Sequence, residues 1–528
     1  MRRGLGVYVL EDRGDPFLDV RPSLLGVRKG PVASIPVSAV APTESRQKGL
    51  SIAFAAAISA LLFGLVLRRH LVDDAYITLS YARNFAEHLH WGVIPDETAN
   101  TATSPLDVLV LAALVKIVGD AVWAAGVLYV LSVTITFLAV HRLIGPAEGA
   151  ASGALWALTI TGLIELNPIM LSSAGLESTL FVAILAWLAV AAQAKSAIWF
   201  GILAGALILT RPDGALFVAT LSVALGLSIR RWAVACLVAA VIVAAWVIPS
   251  WFLLGSAVPD TLIMKRDERP WGGHYFGTGL LLLGKHYPLA VITSVAIPAV
   301  SLLVLVAARI MRSSENASAE ANGWALRLLI IGGFVHYGGY TLLRPPPYHW
   351  YYSLSFSAVT LGAQVLLVRR YGAALPLRFL AGTLLVVSVV VLAMNSHTQF
   401  APISTNWQSS AQAEQMAKNV AEIIGRDRVG LDGEIGAVAY YCRCEIIDDI
   451  SNMANLNGRI GHHLAMSTGL SHPLLSLNYR HRDLTGPLLP EQYFLAATVD
   501  PSGHPWSWPA TSPWRGINYY VLTGPFKR

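Results

Sequence analysis

The chain has 528 residues, of which 13% are charged and 55% hydrophobic, with a mean hydropathy of +0.55. A charged fraction about half the ~25% of an ordinary globular protein argues against a soluble enzyme and against a nucleic-acid-binding protein, and specifies a polytopic membrane protein. The net charge of +6 sits as basic residues in the N-terminal segment and between apolar runs, where it reports orientation.

Residues 1–48 contain five prolines (Pro16, Pro22, Pro31, Pro36, Pro42) and no sustained apolar run, which predicts a mobile cytoplasmic tail. The first long apolar run, Ser51–Leu67, has no small-residue cleavage site after it and is expected to remain as a membrane helix. A hydrocarbon core needs about 20 apolar residues per helix. Ten further spans are expected near 121–143, 150–166, 176–194, 196–210, 214–229, 232–253, 284–310, 325–342, 352–368 and 376–395.

The run Pro105–Val118 reads as a short span or a half-inserted helix, and 196–229 as two short spans or an irregular hairpin around Arg211-Pro212-Asp213-Gly214. Arg46/Lys48, Arg142, Lys195, Arg230/Arg231, Arg309/Arg312, Arg327 and Arg369/Arg370/Arg378 can all face the cytoplasm together. Loops 70–120, 256–283 and 344–351, and everything after 395, then face outward.

After Met394 the hydropathy falls and residues 396–528 read as an extracytoplasmic α/β domain. Gln408–Ile424 reads as an amphipathic helix with Ala411, Met416, Val420, Ile423 and Ile424 near one face; Arg428–Leu431 and Glu445–Asp448 read as strands. Gly433, Gly436 and Asp448-Asp449 fall at strand ends, the acidic pair as a turn or a ligand-facing site. Trp506, Trp508 and Trp514 are expected either to pack on this domain or to lie at the lipid interface. Three cysteines are too few for a disulfide framework, and Cys442-Arg443-Cys444 is too tightly spaced for an ordinary zinc knuckle. No internal repeat is visible.

Asp73-Asp74, directly after the first span, is the strongest chemical signal. Adjacent carboxylates at a membrane boundary repel each other and gain nothing from packing. One suits a general base for an acceptor hydroxyl, the other a support or a ligand for a divalent cation (Mg, Mn or Ca), though no His-rich or paired acidic motif specifies a metal.

The stretch Asp73-Asp74-Ala75-Tyr76-Ile77-Thr78-Leu79-Ser80-Tyr81-Ala82-Arg83-Asn84, followed by Thr103-Ser104-Pro105-Leu106, resembles the first outer loop of GT-C membrane glycosyltransferases. Within that superfamily it is most similar to the terminal arabinofuranosyltransferases of the mycobacterial cell wall and their bacterial relatives. The resemblance continues at Ser173-Ala174-Gly175-Leu176-Glu177, Leu209-Thr210-Arg211-Pro212-Asp213-Gly214, Pro259-Asp260-Thr261 with Lys265, and His349-Trp350-Tyr351-Tyr352. Relatives often carry Asn-Pro-Gly-Glu and Glu-Gly-Tyr-Thr-Ser-Pro-like sequences before the second apolar run, where this chain has Pro95-Asp96-Glu97-Thr98-Ala99-Asn100-Thr101-Ala102-Thr103-Ser104-Pro105.

The resemblance implies a GT-C fold of about 11 transmembrane helices with a C-terminal extracytoplasmic domain. It also implies transfer of a sugar, D-arabinofuranose from decaprenyl-phosphoryl-arabinofuranose, to a cell-envelope glycan on the outer face of the cytoplasmic membrane. The catalytic carboxylate then falls on Asp74 or Asp73, with Asp74 expected to contact the sugar and Asp73 to support it.

The residues themselves add further candidates. Cations at outer helix ends, Lys265, Arg266, Arg344 and His349, suit the leaving phosphate; loop solvation and interfacial snorkelling are the plainer readings for the first two and for Arg344. Tyr76, Tyr81, Glu177, Tyr348, Trp350 and Tyr351 are candidates for the sugar or acceptor cleft. Glu177 also reads as a helix N-terminal carboxylate, Arg211/Asp213 as an ion pair closing a hairpin, and the aromatic run 348–352 as an interfacial belt. Alternative functions are a GT-C transferase moving mannose or another prenyl-linked sugar to a lipid or protein, a lipid-linked-sugar transporter, and a non-catalytic assembly scaffold. Acids at helix ends and the lack of a repeat argue against a transporter.

Overall fold

The computed structural model describes residues 42–95, 97–145, 150–311, 323–372, 374–448, 451–485 and 490–526. Asp96, Asp449, Arg312 and most of the expected N-terminal tail therefore lie outside the described residues. The first helices are α1 (Pro42–Leu65), α2 (Asp73–His88), α3 (Pro105–Val118), α4 (Ala121–Ile144), α5 (Ala150–Glu165), α6 (Pro168–Leu171), α7 (Ser178–Gln193), α8 (Ala197–Thr210) and α9 (Gly214–Ser222). They are followed by α10 (Ile229–Leu253), α11 (Thr261–Asp267), α12 (Phe276–His286), α13 (Pro288–Met311), α14 (Trp324–Leu343), α15 (Trp350–Tyr371) and α16 (Leu375–Asn395).

A helix occupies each of the eleven expected spans. Seven stretches among the described residues, in α1, α4, α10, α13, α14, α15 and α16, are long and apolar enough to cross a membrane, whereas α7, α8 and α9 are shorter apolar helices. The region 196–229 is two short helices, because Arg211 leaves helical geometry for an extended conformation at the end of α8. The 105–118 run is a 14-residue helix opened by Pro105 and closed by Gly119 at φ 83°.

Close backbone approach organises the bundle. A Cβ on Gly201 would lie 2.6 Å from the Ala235 carbonyl, and one on Gly205 would lie 2.6 Å from Ile242 Cβ, so the Gly-x-x-x-Gly face of α8 admits α10 where larger side chains would hold it off. Helix α15 is the central element, with 94% of its apolar window buried.

The C-terminal α/β domain comprises α17 (Ser410–Ile424), β1 (Val429–Asp432), α18 (Gly436–Cys442), β2 (Ile446–Ile447), α19 (Met453–Met466), α20 (Ser471–Asn478), β3 (Tyr493–Thr498), β4 (Trp506–Ser512) and β5 (Gly516–Thr523). The strand order is β2-β1-β3-β5-β4, with β1 parallel to β2 and β3, and β5 antiparallel to β3 and β4.

Helix α17 starts with a capping box, Ser409 Oγ accepting from Gln412 N–H and Gln412 Oε1 accepting from Ser409 N–H. Its buried face carries Ala413, Met416, Ala417, Val420 and Ile424, while the expected Ala411 is exposed. The expected strands begin one residue later, at Val429 and Ile446, where pairing Val429 with Ile446 closes the ladder. The Trp-rich tail supplies two further strands: Trp506 and Trp508 in β4 pack on the domain core rather than forming a lipid belt. Cys442 and Cys444 are joined as a disulfide.

Candidate active site

Helix α2 follows Val72, whose extended backbone starts it, and places both acids in its first turn, where the unpaired N–H groups favour negative charge. Successive helical residues point about 100° apart, so the two side chains diverge. Asp73 faces the C-terminal domain: its Oδ2 accepts from Gly436 N–H and its Oδ1 from Ala437 N–H, both at 2.8 Å. Its own N–H donates to Asn406, whose amide donates to the Leu71 carbonyl.

Asp74 is half-buried, and its carboxylate has no hydrogen bond to any described residue. Both acids border a cavity of about 490 Å³. Trp271, Tyr348 and Trp350 wall it from the membrane domain; Asn406, Trp407, Glu434, Asp448, Trp514 and Arg515 wall it from the C-terminal segment. A separate void of about 20 Å³ between α3, α4 and α7 has room only for water.

Lys265 on α11 lies behind Tyr348, with its Nζ 4.6 Å from the Tyr348 ring centre and donating to Tyr351 Oη at 2.6 Å. Burial works against this ammonium, but Tyr351, Glu268 and Asp74 outweigh it and hold it above its ordinary value, so it stays charged. Burial raises Asp74, Lys265 pulls it down and Glu177 pushes it up. Burial lifts Asp73 to about 7 against the pull of the Ala437 and Gly436 N–H groups, with Asp74 adding to the rise. Glu434 is pushed well up by burial, with Asp73 and Asp74 adding to the effect. The cavity thus combines an unengaged carboxylate, an engaged one and a cation behind an aromatic wall.

Other predicted site residues lie elsewhere. His349 is fully buried, hydrogen-bonds the Ser172 carbonyl at 2.9 Å and is lowered to about 4 by burial, so it is neutral and offers no cation for a phosphate. Arg266 is exposed. Arg344 is also exposed, capping α14 and stacking on Tyr275 at 4.7 Å. Tyr76 packs on Tyr440 and Tyr441 of the C-terminal domain, and Tyr81 bonds Ala99 O and Thr101 Oγ1, so neither borders the cavity. Glu177 pairs with Arg211, which also holds Asp213 and Tyr340; Asp213 accepts in addition from His336 and Tyr340.

The residues missed by sequence reasoning are Trp271, Asn406, Trp407, Glu434, Trp514 and Arg515. Only Glu434 carried a local signal, its position between Gly433 and Gly436 after a strand.

A divalent cation fits this donor set poorly. No three His, Cys, Asp or Glu among the described residues gather into a ligand group, and both Asp73 oxygens already accept backbone N–H bonds.

No protein-family model and no curated protein matches the chain. The crystal structure of ArnT from Cupriavidus metallidurans in the apo state aligns over 90% of this chain and 98% of its own, with a TM-score of 0.52 and 14% identity. The chain therefore shares its overall fold with that structure. Arabinofuranosyltransferase AftD from mycobacteria aligns over 89% of this chain at TM-score 0.46 and 15% identity, this chain spanning 39% of its length. Oligosaccharyltransferase AglB from Archaeoglobus fulgidus, in complex with an inhibitory peptide and a dolichol-phosphate, aligns over 86% of this chain and 70% of its own, at TM-score 0.47 and 11% identity. In this fold the acidic pair follows the first long helix and the α/β domain closes over it.

Proposed function

We propose that the chain is a membrane glycosyltransferase that moves a sugar from a polyprenyl-phosphate carrier to a hydroxyl of a cell-envelope glycan. The observation that carries this reading is Asp74: a carboxylate with no described hydrogen-bond partner, facing a roomy aromatic-walled cavity with the Lys265 ammonium as its electrostatic neighbour. In the step, Asp74 takes the proton of the acceptor hydroxyl, whose oxygen bonds to the anomeric carbon as the bond from that carbon to the phosphate oxygen breaks. The electron pair leaves on the polyprenyl phosphate, toward Lys265. Asp73 positions α2 against the C-terminal domain. The motif resemblance supports D-arabinofuranose, carried by decaprenyl phosphate, as the sugar.

The orientation we propose has the N-terminus in the cytoplasm and the cavity outside the cytoplasmic membrane. Arg369 bonds the Leu143 carbonyl and Gln193, and Tyr371 bonds the Ala308 carbonyl. Arg142, Lys195, Arg309, Arg369 and Arg370 therefore share one end of the bundle, opposite the acidic pair, as positive-inside loops require. The Cys442–Cys444 disulfide suits an oxidising outer space.

Purified protein given decaprenyl-phosphoryl-arabinofuranose and a short arabinan acceptor is expected to form product, and Asp74→Asn to form less by about 10²-fold or more. Transfer from a different prenyl-linked sugar instead would replace arabinose while keeping the mechanism. Wild-type transfer matched by Asp74→Asn would overturn the assignment of the base.

A further inference from the structure

Helix α20 buries no residue in the protein although it carries three leucines. Leu470, Leu474 and Leu477 recur at the i, i+4, i+7 spacing of one helical face, and they are 84%, 66% and 52% exposed; Met466 at the end of α19 is 69% exposed. This face adjoins the end of α10. Trp251 Nε1 donates to the Leu477 carbonyl at 2.9 Å, and the His481 ring packs on Trp251 at 4.7 Å and on Phe252 at 4.6 Å. Only 11% of the apolar window of α10 is buried in protein, and Phe252 and Leu253 at its last turn are exposed, so lipid must cover this helix. Exposed Arg480 and His481 follow the C-terminal end of the leucine face, as headgroup contacts require.

We infer that the α19–α20 hairpin is an interfacial membrane element, with Leu470, Leu474 and Leu477 immersed in the lipid leaflet that surrounds the end of α10. A soluble-domain hairpin tied to the end of a spanning helix has the bilayer as its nearest apolar phase, and burying the leucine face there removes apolar surface from water. The other face of the hairpin holds α11, since Leu456, Ile460 and Tyr479 cluster with Ile263 and Met264. Immersion therefore fixes the helix bearing Lys265 at the membrane surface, where a lipid-borne phosphate travels. That consequence rests on the proposed donor; the immersion does not.

The test uses the full chain as single copies in lipid nanodiscs. An environment-sensitive fluorophore is attached at Leu470→Cys or Leu474→Cys after Cys236, the exposed free cysteine, is replaced by serine. The expected result is quenching of roughly twofold or more by shallow doxyl-labelled lipid, with little quenching by aqueous iodide. Quenching by iodide and not by doxyl lipid would place the hairpin in water and overturn the inference. Protection from both quenchers would mean that protein covers the face, and would overturn it equally. Because the readout involves no turnover, failure of the proposed reaction leaves the result standing.

Discussion

Gly436 donates its backbone N–H to the Asp73 carboxylate at 2.8 Å, and a Cβ at Gly436 would lie 2.0 Å from the Asp73 carbonyl oxygen. The N-terminus of α18 therefore seats on the first turn of α2 only because residue 436 has no side chain. This contact holds the C-terminal domain against the membrane domain and leaves Asp74, one residue on, to the cavity.

Gly436→Ala is expected to push α18 off Asp73. Overpacking of this kind costs about 1–3 kcal/mol, read as a lower unfolding midpoint, and sugar transfer should fall with it because the cavity loses its C-terminal wall. A variant with native stability and native transfer would show that the seat does not matter.

Asp73→Asn and Asp74→Asn should separate. Asp74→Asn removes the base and should reduce transfer by about 10²-fold or more with an unchanged unfolding midpoint, since its side chain bonds no described residue. Asp73→Asn leaves an amide N–H₂ facing a backbone donor and should cost about 1–3 kcal/mol of stability. Paired thermal melts and transfer assays check both; the reverse pattern would exchange the two roles.

The pH dependence follows from Asp73. Its folded value of about 7 lies above the ordinary 3.8, so between these values the folded protein holds a proton that the unfolded chain has released. Stability from this group is therefore lost as pH rises from about 4 to about 7 and is level above that, by an amount on the order of a few kcal/mol. Denaturant titrations across this range should show the slope in wild type and its removal in Asp73→Asn.

Lys265→Gln should weaken transfer by roughly 10²-fold through loss of the cation whose charge acts on Asp74, whereas Arg266→Gln and Arg344→Gln, both exposed, should stay near wild type. Steady-state kinetics against donor concentration distinguish them. Equal losses at all three positions would point to general surface charge rather than a phosphate site.

Arg482 of the C-terminal domain pairs with Asp260 at 2.6 Å, with side-chain exposures of 3% and 0%. Arg482→Ala leaves the Asp260 carboxylate buried and unpaired, at an expected cost of about 3–5 kcal/mol. Denaturant unfolding of the single variants and of the double variant Asp260→Asn with Arg482→Met measures it; the double variant should recover part of the loss.

The sequence by itself determined where the seven long apolar helices lie, the break at Arg211, helix α17 and the acidic pair at the start of α2. Each follows from local hydropathy, periodicity or capping within one stretch of chain. Only the tertiary structure decided which acid faces the cavity, because Asp73 is claimed by N–H groups 363 and 364 residues away. It likewise decided that His349 is neutral and buried, that Lys265 and not Arg344 neighbours Asp74, and that Glu434, Trp514 and Arg515 complete the wall. Cavity chemistry is set by which distant segments meet and by how much water they exclude, and neither quantity is written in any local run of residues.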